Sequence, residues 1–356
     1  MLRYLIHPVV LVASTALVLA MLLAIFPESS LTAAIRGISI WWEVLFPALF
    51  PFFVISEVLL GFGIVHFFGT LLDPMMRPVF RVPGIGGFVM TMGFVAGYPV
   101  GARLSAQLYD QKLINRTEGE RLVALTTSSD PIFLIGAVAV GFFHNVALVP
   151  VLAVAHYGGS LLIGLLMRFY DRNAPSTPVN TRKKEEAPNN RLATAFLSMH
   201  KARLEDGRPT GKLLSDAIAA ALRLMMVVGG LVVFFSVVME VMTSAGAISV
   251  ITSLVDAVFQ LFGLPAVLSP AIVNGLFEVT LGVKAAGSAG GAMLLHQTAA
   301  AAWVLSWGGL SVHAQVVSLL SRTGMRYKPF IIARFAHGII AMLMVYLLWG
   351  WLGPGI

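Results

Sequence analysis

The residues best suited to chemistry in this chain sit in two Gly-rich stretches. One is Gly93-Phe94-Val95-Ala96-Gly97-Tyr98-Pro99-Val100-Gly101-Ala102-Arg103, and the other is Gly275-Leu276-Phe277-Glu278-Val279-Thr280-Leu281-Gly282-Val283-Lys284. Each lies within a hydrophobic region and ends in a cation. Two further stretches interrupt apolar runs with polar groups, Thr126-Thr127-Ser128-Ser129-Asp130-Pro131 and Trp307-Gly308-Gly309-Leu310-Ser311-Val312-His313-Ala314-Gln315. Pro and Gly stop a helix and leave backbone groups unpaired. In hydrocarbon those groups are costly, so all four breaks must face protein or a wet cavity. Asp130 before Pro131 reads as an N-cap followed by a proline in the first turn of a new half-helix. The N-terminus of a half-helix offers N–H donors and a partial positive charge. With Arg103 and Lys284 opposed across a pseudo-two-fold axis, such a site suits an anion, and a dicarboxylate better than a monocarboxylate. Arg can grip a carboxylate through two parallel hydrogen bonds. Tyr98 and Phe277 could stack on an aromatic solute.

The candidate substrate site is therefore Gly97, Tyr98, Pro99, Gly101 and Arg103, then Ser128, Ser129 and Asp130, with Phe277, Glu278, Thr280, Lys284, Ser311, His313 and Gln315 from the second half. Glu57 and Glu240 are supporting intramembrane charges, which function often explains. Blander roles stay open. Glu57 and Glu240 could be structural acids paired with Arg103, Lys284 or Arg223, and Glu278 could form a clasp with Lys284. Asp130 could be a cap alone, and His313 either titrates during transport or is a hydrogen-bonded core histidine. His156 and His296 read as packing residues, because no second ligand stands at i+3 or i+4. No metal site or cofactor is expected, and a coupling ion, H+ or Na+, is left open.

Composition sets the frame. Of 356 residues, 58% are hydrophobic and 12% charged, with a mean hydropathy of +0.86. That implies an all-α polytopic membrane protein. With no cysteine, disulfides, thiolate metal sites and thiol catalysis are excluded. The net charge of +7 falls in loops, where it meets lipid headgroups and sets topology rather than binding nucleic acid. There is no G-x-x-x-x-G-K-[ST], H-E-x-x-H or G-x-S-x-G, so no enzyme is expected.

Seven spans are expected, at about 5–26, 43–68, 118–143, 147–167, 214–240, 298–321 and 331–352, each near the ~20 residues that cross a bilayer. Trp41, Trp42, Trp303, Trp307, Trp349 and Trp351 suit interfacial anchors. Residues 168–212 hold ten Lys/Arg against five Asp/Glu and read as a flexible cytoplasmic linker. For the other basic loops to share that side, 85–109 and 267–296 must dip in and return as re-entrant hairpins. The N-terminus is then cytoplasmic and the C-terminus external. Paired landmarks keep a steady offset: 183 for Glu57 and Glu240, 182 for Gly93 and Gly275, 181 for Arg103 and Lys284, and 182 for Ser129 and Ser311. Each half reads span, amphipathic connector (71–83 and 248–262), hairpin, broken span, span. The expected organisation is an extra helix at 1–30, a first repeat at 31–167, the linker, and a second, inverted repeat at 213–356. That arrangement belongs to secondary transporters.

Trp41-Trp42-Glu43-Val44-Leu45-Phe46-Pro47-Ala48-Leu49-Phe50-Pro51-Phe52, then Gly93 to Arg103, then Thr126 to Phe133, resemble the sporulation integral membrane proteins of endospore formers, which carry the nucleoside-recognition or Gate domain. The resemblance covers nearly the whole chain. It implies transport of dipicolinate, a dianionic aromatic acid, from the mother cell across the outer forespore membrane. It also leaves open contacts with other sporulation membrane proteins. More distantly, the pattern is similar to concentrative nucleoside transporters, which bind solute between two hairpin tips and two unwound helices. By analogy with them a homo-oligomer is open. Their first hairpin carries Gln-Thr-Glu where this chain has Gly97-Tyr98-Pro99, which puts nucleoside specificity and their sodium site in doubt. A nucleoside or nucleobase carrier and a non-transporting spore-envelope assembly protein remain the alternatives.

Overall fold

The computed structural model describes residues 8–178 and 190–355. All secondary structure among the described residues is helical. Helix α1 is Pro8–Ile25. Pro27 starts a new helix, α2, which runs to Gly61 through a π-helical turn at Ile40–Leu45. Helix α3, Ile64–Met75, is followed by a helical hairpin with arms α4 (Gly86–Ala96) and α5 (Tyr98–Asp110). A broken helix comes next, α6 (Arg116–Thr126) and α7 (Phe133–Phe142), and then α8 (Val146–Met167). After α9 (Arg191–Asp206) the same order recurs. The long helix is α10 (Thr210–Ser244), the connector α11 (Ala247–Leu261), and the hairpin arms α12 (Ala266–Phe277) and α13 (Val279–Gly287). The broken helix is α14 (Leu294–Trp307) with α15 (Gly309–Leu320), and α16 (Lys328–Leu352) closes the chain.

The two long helices, each of 35 residues, lie antiparallel. Low numbers of α2 meet high numbers of α10: a Cβ on Gly37 would lie 2.9 Å from Val233, the Trp41 indole N–H donates to the Met225 carbonyl at 2.9 Å, and Gly61 abuts Leu213. Gly229 is needed at this crossing, since a Cβ there would stand 2.7 Å from the Trp41 ring. These two matching helices therefore run in opposite directions.

Several expectations are revised. Among the described residues, five stretches are long and apolar enough to span, namely α2, α8, α10, α16 and the nearly continuous α14–α15. The stretch at 118–143 is two short halves, because the backbone unwinds after Thr126. The expected span at 43–68 begins at Pro27 and ends at Gly61; its last residues belong to the connector, which starts at Ile64 rather than 71. The linker contains the helix α9, whose Leu192, Ala195, Phe196 and Met199 follow helical spacing. Ala195 is fully buried, the Phe196 ring meets Phe67 at 4.9 Å, and Met199 packs on Gly63 of the α2–α3 turn. The charge run from Arg182 to Glu186 lies outside the described residues. Trp303 and Trp307 are not interfacial: both are buried, with stacked rings 6.2 Å apart.

None of the hairpin arms could cross alone. The longest, the 13 residues of α5, reaches about 20 Å at 1.5 Å per residue, against ~30 Å of hydrocarbon.

Candidate functional site

The four helix breaks meet. At the first hairpin tip Gly97 takes φ 86°, a conformation that favours glycine, and a Cβ there would lie 3.1 Å from the Asp130 carboxylate. The first tip thus abuts the first break. At the second break Gly308 and Gly309 have φ 89° and 70°, and a Cβ on Gly309 would lie 3.0 Å from the Phe277 carbonyl. The second tip thus abuts the second break. Tyr98 ties the pairs together, its hydroxyl donating to the Leu305 carbonyl at 2.8 Å.

Buried side chains hold the first break open. The carbonyls freed where α6 ends would be costly without partners. Arg334 of α16, fully buried, donates to the carbonyls of Thr127 and Ala124. Ser160 donates to Leu125 O at 2.8 Å, and Tyr157 to Ser129 O at 3.2 Å. The Ser129 N–H donates to His156 Nε2 at 3.0 Å, so His156 carries its proton on Nδ1, where Ser306 accepts it at 2.9 Å. Each half therefore helps to fix the break of the other.

Between the breaks lies a cavity of about 110 Å³. Its polar lining is Tyr98, Asp130, Glu278, Thr280, Ser311 and Gln315, and its apolar wall comes from Leu49, Phe53, Phe133 and residues 224–231 of α10. Two carboxyls face it, both acting as caps. Asp130 accepts from the Phe133 N–H at 2.8 Å, and Glu278 from the Leu281 N–H at 2.9 Å and the Thr280 hydroxyl at 3.2 Å. Each satisfies donors at the start of its half-helix and complements the helix dipole. Helices α5 and α15 also begin at this point, and no side chain caps either. The two halves have exchanged roles: the carboxyl stands at the break in one and at the hairpin tip in the other.

Two larger cavities flank this one. Helix α10 lines all three in order: Leu213 to Arg223 face a cavity of about 300 Å³, called inner for the side on which the linker is expected, Leu224 to Leu231 the centre, and Ser236 to Thr243 a cavity of about 330 Å³, called outer as the opposite one. Antiparallel α2 lines them in reverse, with Arg36 and Ile40 outside, Leu49 and Phe53 central, and Glu57 inside. From the middle of the central group to Glu240 is about 12 residues, or roughly 18 Å of helix.

Of the candidate residues, Gly97, Tyr98, Pro99, Asp130, Glu278, Thr280, Ser311 and Gln315 line the central cavity. Gly101 packs against Thr126 behind it. Ser128 and Ser129 are buried in the unwound segment, and their hydroxyls donate to the next residue's carbonyl. Phe277 turns away to a cluster with Met239, Ile248 and Val273. His313 is enclosed, its Nδ1 taking the Tyr327 hydroxyl at 2.6 Å and its Nε2 donating to Trp307 O at 3.1 Å. Arg103 is exposed and lines none of the three cavities, and Lys284 lines the outer one. The two cations therefore do not flank the central cavity in this conformation, and no Lys or Arg is among its lining residues. Glu57 and Glu240 fall in the inner and outer cavities, Glu240 paired with Arg36 at 3.3 Å. Sequence reasoning missed Arg334. A single arginine inside a 25-residue helix whose other charged residue, Lys328, stands at its very start was the available signal.

Paired breaks in two opposed halves agree with comparison at the sequence level. The family model described as Gate, nucleoside recognition, matches residues 42–147 and 225–345, one segment in each half. The sporulation integral membrane protein YlbJ of Bacillus subtilis (strain 168) is 44% identical over 339 residues, covering 95% of this chain and 82% of that protein. The chain belongs to the Gate family of sporulation integral membrane proteins. Its first Gate segment holds the first hairpin and α6–α7, and its second holds the other hairpin and α14–α15. All the residues lining the central cavity fall within the two segments except Leu224. No solved structure matches the chain.

Proposed function

We propose that this Gate protein is a secondary transporter of a small aromatic dicarboxylate, dipicolinate, carried from the mother cell toward the forespore by alternating access. The observation that carries the reading is the central cavity at four helix breaks, with a larger cavity on each side along α2 and α10. A cavity of roughly 150 Å³ holds benzene, so the central volume of about 110 Å³ must widen to admit a ring bearing two carboxylates, as alternating access allows. The uncapped start of α15 offers N–H groups to one carboxylate and the Tyr98 N–H at the start of α5 faces the other, since Pro99 has no N–H and Val100 donates to Gly97 O at 3.2 Å; Tyr98, Phe53 and Phe133 offer ring faces. In this reading both hairpins are re-entrant and the halves form an inverted repeat.

The charge balance then assigns a role to Asp130 and Glu278. Two ionised carboxylates would repel a dianion in a site without a lining cation. They bind it together with protons, Asp130 and Glu278 each taking one, so that coupling is to H+. Glu278, whose role the sequence left open, is a cap and a proton carrier.

A nucleoside or nucleobase carrier is the second reading. It is favoured by the lack of a cation in the central lining, which suits a neutral solute, and by the family description. Thermal unfolding of purified protein separates the two. Dipicolinate raising the midpoint and uridine leaving it unchanged is the expected result; the reverse would replace the substrate.

A further inference from the structure

We propose that the outer cavity is a second anion-binding site, one that receives a small carboxylate between Arg36 and Lys284. The cavity, of about 330 Å³, is lined by Arg36, Ser236, Glu240, Asn274, Lys284 and Ser288 among its polar groups. Two cations face one lining carboxylate. Arg36 is engaged by Glu240 at 3.3 Å, while Lys284 makes no ion pair or hydrogen bond among the described residues. Glu43, the remaining acid near Lys284, is exposed and lies outside the lining. A half-buried ammonium on an open cavity is an unsatisfied donor with charge to match.

Asn274 and Ser288 add uncharged donors to the same lining. The partnerless Ser236 hydroxyl is shut off beside Gly37 at the α2–α10 crossing and takes no part in the site. The inner cavity is different. There Glu57 and Asp216 balance Arg208 and Arg223, and Arg208 is already held by Asp206 at 2.6 Å and Asp216 at 3.1 Å. Of the two cavities that flank the centre, only the outer one has a lining with excess positive charge.

Helix α13 connects this site to the centre. Glu278, Val279 and Thr280 at its start face the central cavity, while Leu281, Lys284, Ala285 and Ser288, spaced i, i+3, i+4 and i+7, present one face to the outer one. Lys284 follows Glu278 by six residues, about 9 Å along the axis. An anion held at Lys284 is one short step from the central caps. The existence of the site does not depend on dipicolinate transport; only the identity of its natural ligand rests on that reading.

The chain has seven lysines, and the expected topology puts all but Lys284 on the cytoplasmic side. The full-length protein in proteoliposomes is treated with a membrane-impermeant amine-acylating reagent, and the rate at Lys284 is read by peptide mass spectrometry. Dipicolinate and sodium sulfate are the probes. Dipicolinate should slow acylation of Lys284 several-fold and leave Lys112 unchanged, and Arg36→Gln should remove that protection. Protection by sulfate but not by dipicolinate supports the anion site and counts against the dipicolinate reading. If neither anion protects Lys284, or if protection persists unchanged in Arg36→Gln, the proposal is overturned. Uptake gives a second readout. Lys284→Gln should raise the dipicolinate concentration for half-maximal uptake about tenfold, the scale of electrostatic focusing, and Lys284→Arg should restore it. Where wild type takes up dipicolinate, an unchanged half-maximal concentration in Lys284→Gln would also overturn the proposal.

Discussion

Replacing Asp130 and Glu278 separates their two roles, because the amides keep the cap and lose the proton. In Asp130→Asn the side-chain oxygen can still accept from the Phe133 N–H, now 2.8 Å away, and in Glu278→Gln from the Leu281 N–H at 2.9 Å. Asn is as good an N-cap as Asp, whereas Ala gives up about 1 kcal/mol and up to ~2. The alanine variants should therefore lose about 1–2 kcal/mol each in unfolding free energy. If the carboxyls are neutral in the solute-bound state, the amides should match wild type when dipicolinate is present. An ionised carboxylate would also give up its dipole interaction there, about 0.3–1 kcal/mol and up to ~2 where buried. The assay is denaturation of purified protein with and without dipicolinate, together with binding measured from pH 6 to 8. Each proton taken up on binding weakens apparent affinity by up to tenfold per pH unit. Wild type should bind more weakly as pH rises, each single amide should shed one proton's share of that slope, and the double amide should bind independently of pH. Amides as unstable as alanines would refute the capping argument. A double amide with the wild-type slope would refute proton uptake at these residues.

Other outcomes follow from the same geometry. Gly97→Ala puts a Cβ on a residue at φ 86° and ψ −175° facing Asp130 and should cost about 1–3 kcal/mol; Gly290→Ala, where a Cβ meets nothing within 4 Å, should change stability by less than ~0.5 kcal/mol in the same unfolding measurement. Glu120, buried, accepts three bonds from Arg326, from its backbone N–H at 2.7 Å and from Nε and Nη2 at 3.0 Å. Glu120→Ala should cost about 1–3 kcal/mol and loosen the loop before α16, seen as faster amide exchange there. At the end of α9, the hydrogen bonds from the Arg208 guanidinium hold the Asp206 carboxyl at about 2. Because that value is depressed, its contribution is complete above ~4, the ordinary aspartate value, and is lost as pH falls toward 2. Protection of the α9 amides, corrected for intrinsic exchange, should fall across that window and be independent of pH there in Asp206→Asn.

The breaks were legible because helix-stopping residues act locally. Gly97, Pro99, Asp130, Gly308 and Gly309 mark turns whatever packs around them, and the turns fall where those residues stand. The faces of the helices were harder to read. Arg103 follows Gly101 by two residues, about 200° around the helix; since Gly101 is buried against Thr126, Arg103 faces outward. Lys284 lies about 240° from Glu278 by the same count and so opens onto a different cavity. Arg334 was missed because its partners, Ala124 and Thr127, are 210 and 207 residues away in the chain. An arginine that bonds backbone carbonyls leaves no complementary acid in the sequence to find. The helix α9 was hidden by its polar setting, since its apolar stripe serves only to dock on α3.

The most direct test of the account is uptake of labelled solute by proteoliposomes containing the purified protein, with an imposed pH gradient. Protein-dependent accumulation of dipicolinate should rise with the inward proton gradient, vanish in the Asp130→Asn, Glu278→Gln double variant, and resist inhibition by excess uridine. Protein-dependent uptake of uridine with none of dipicolinate would contradict it.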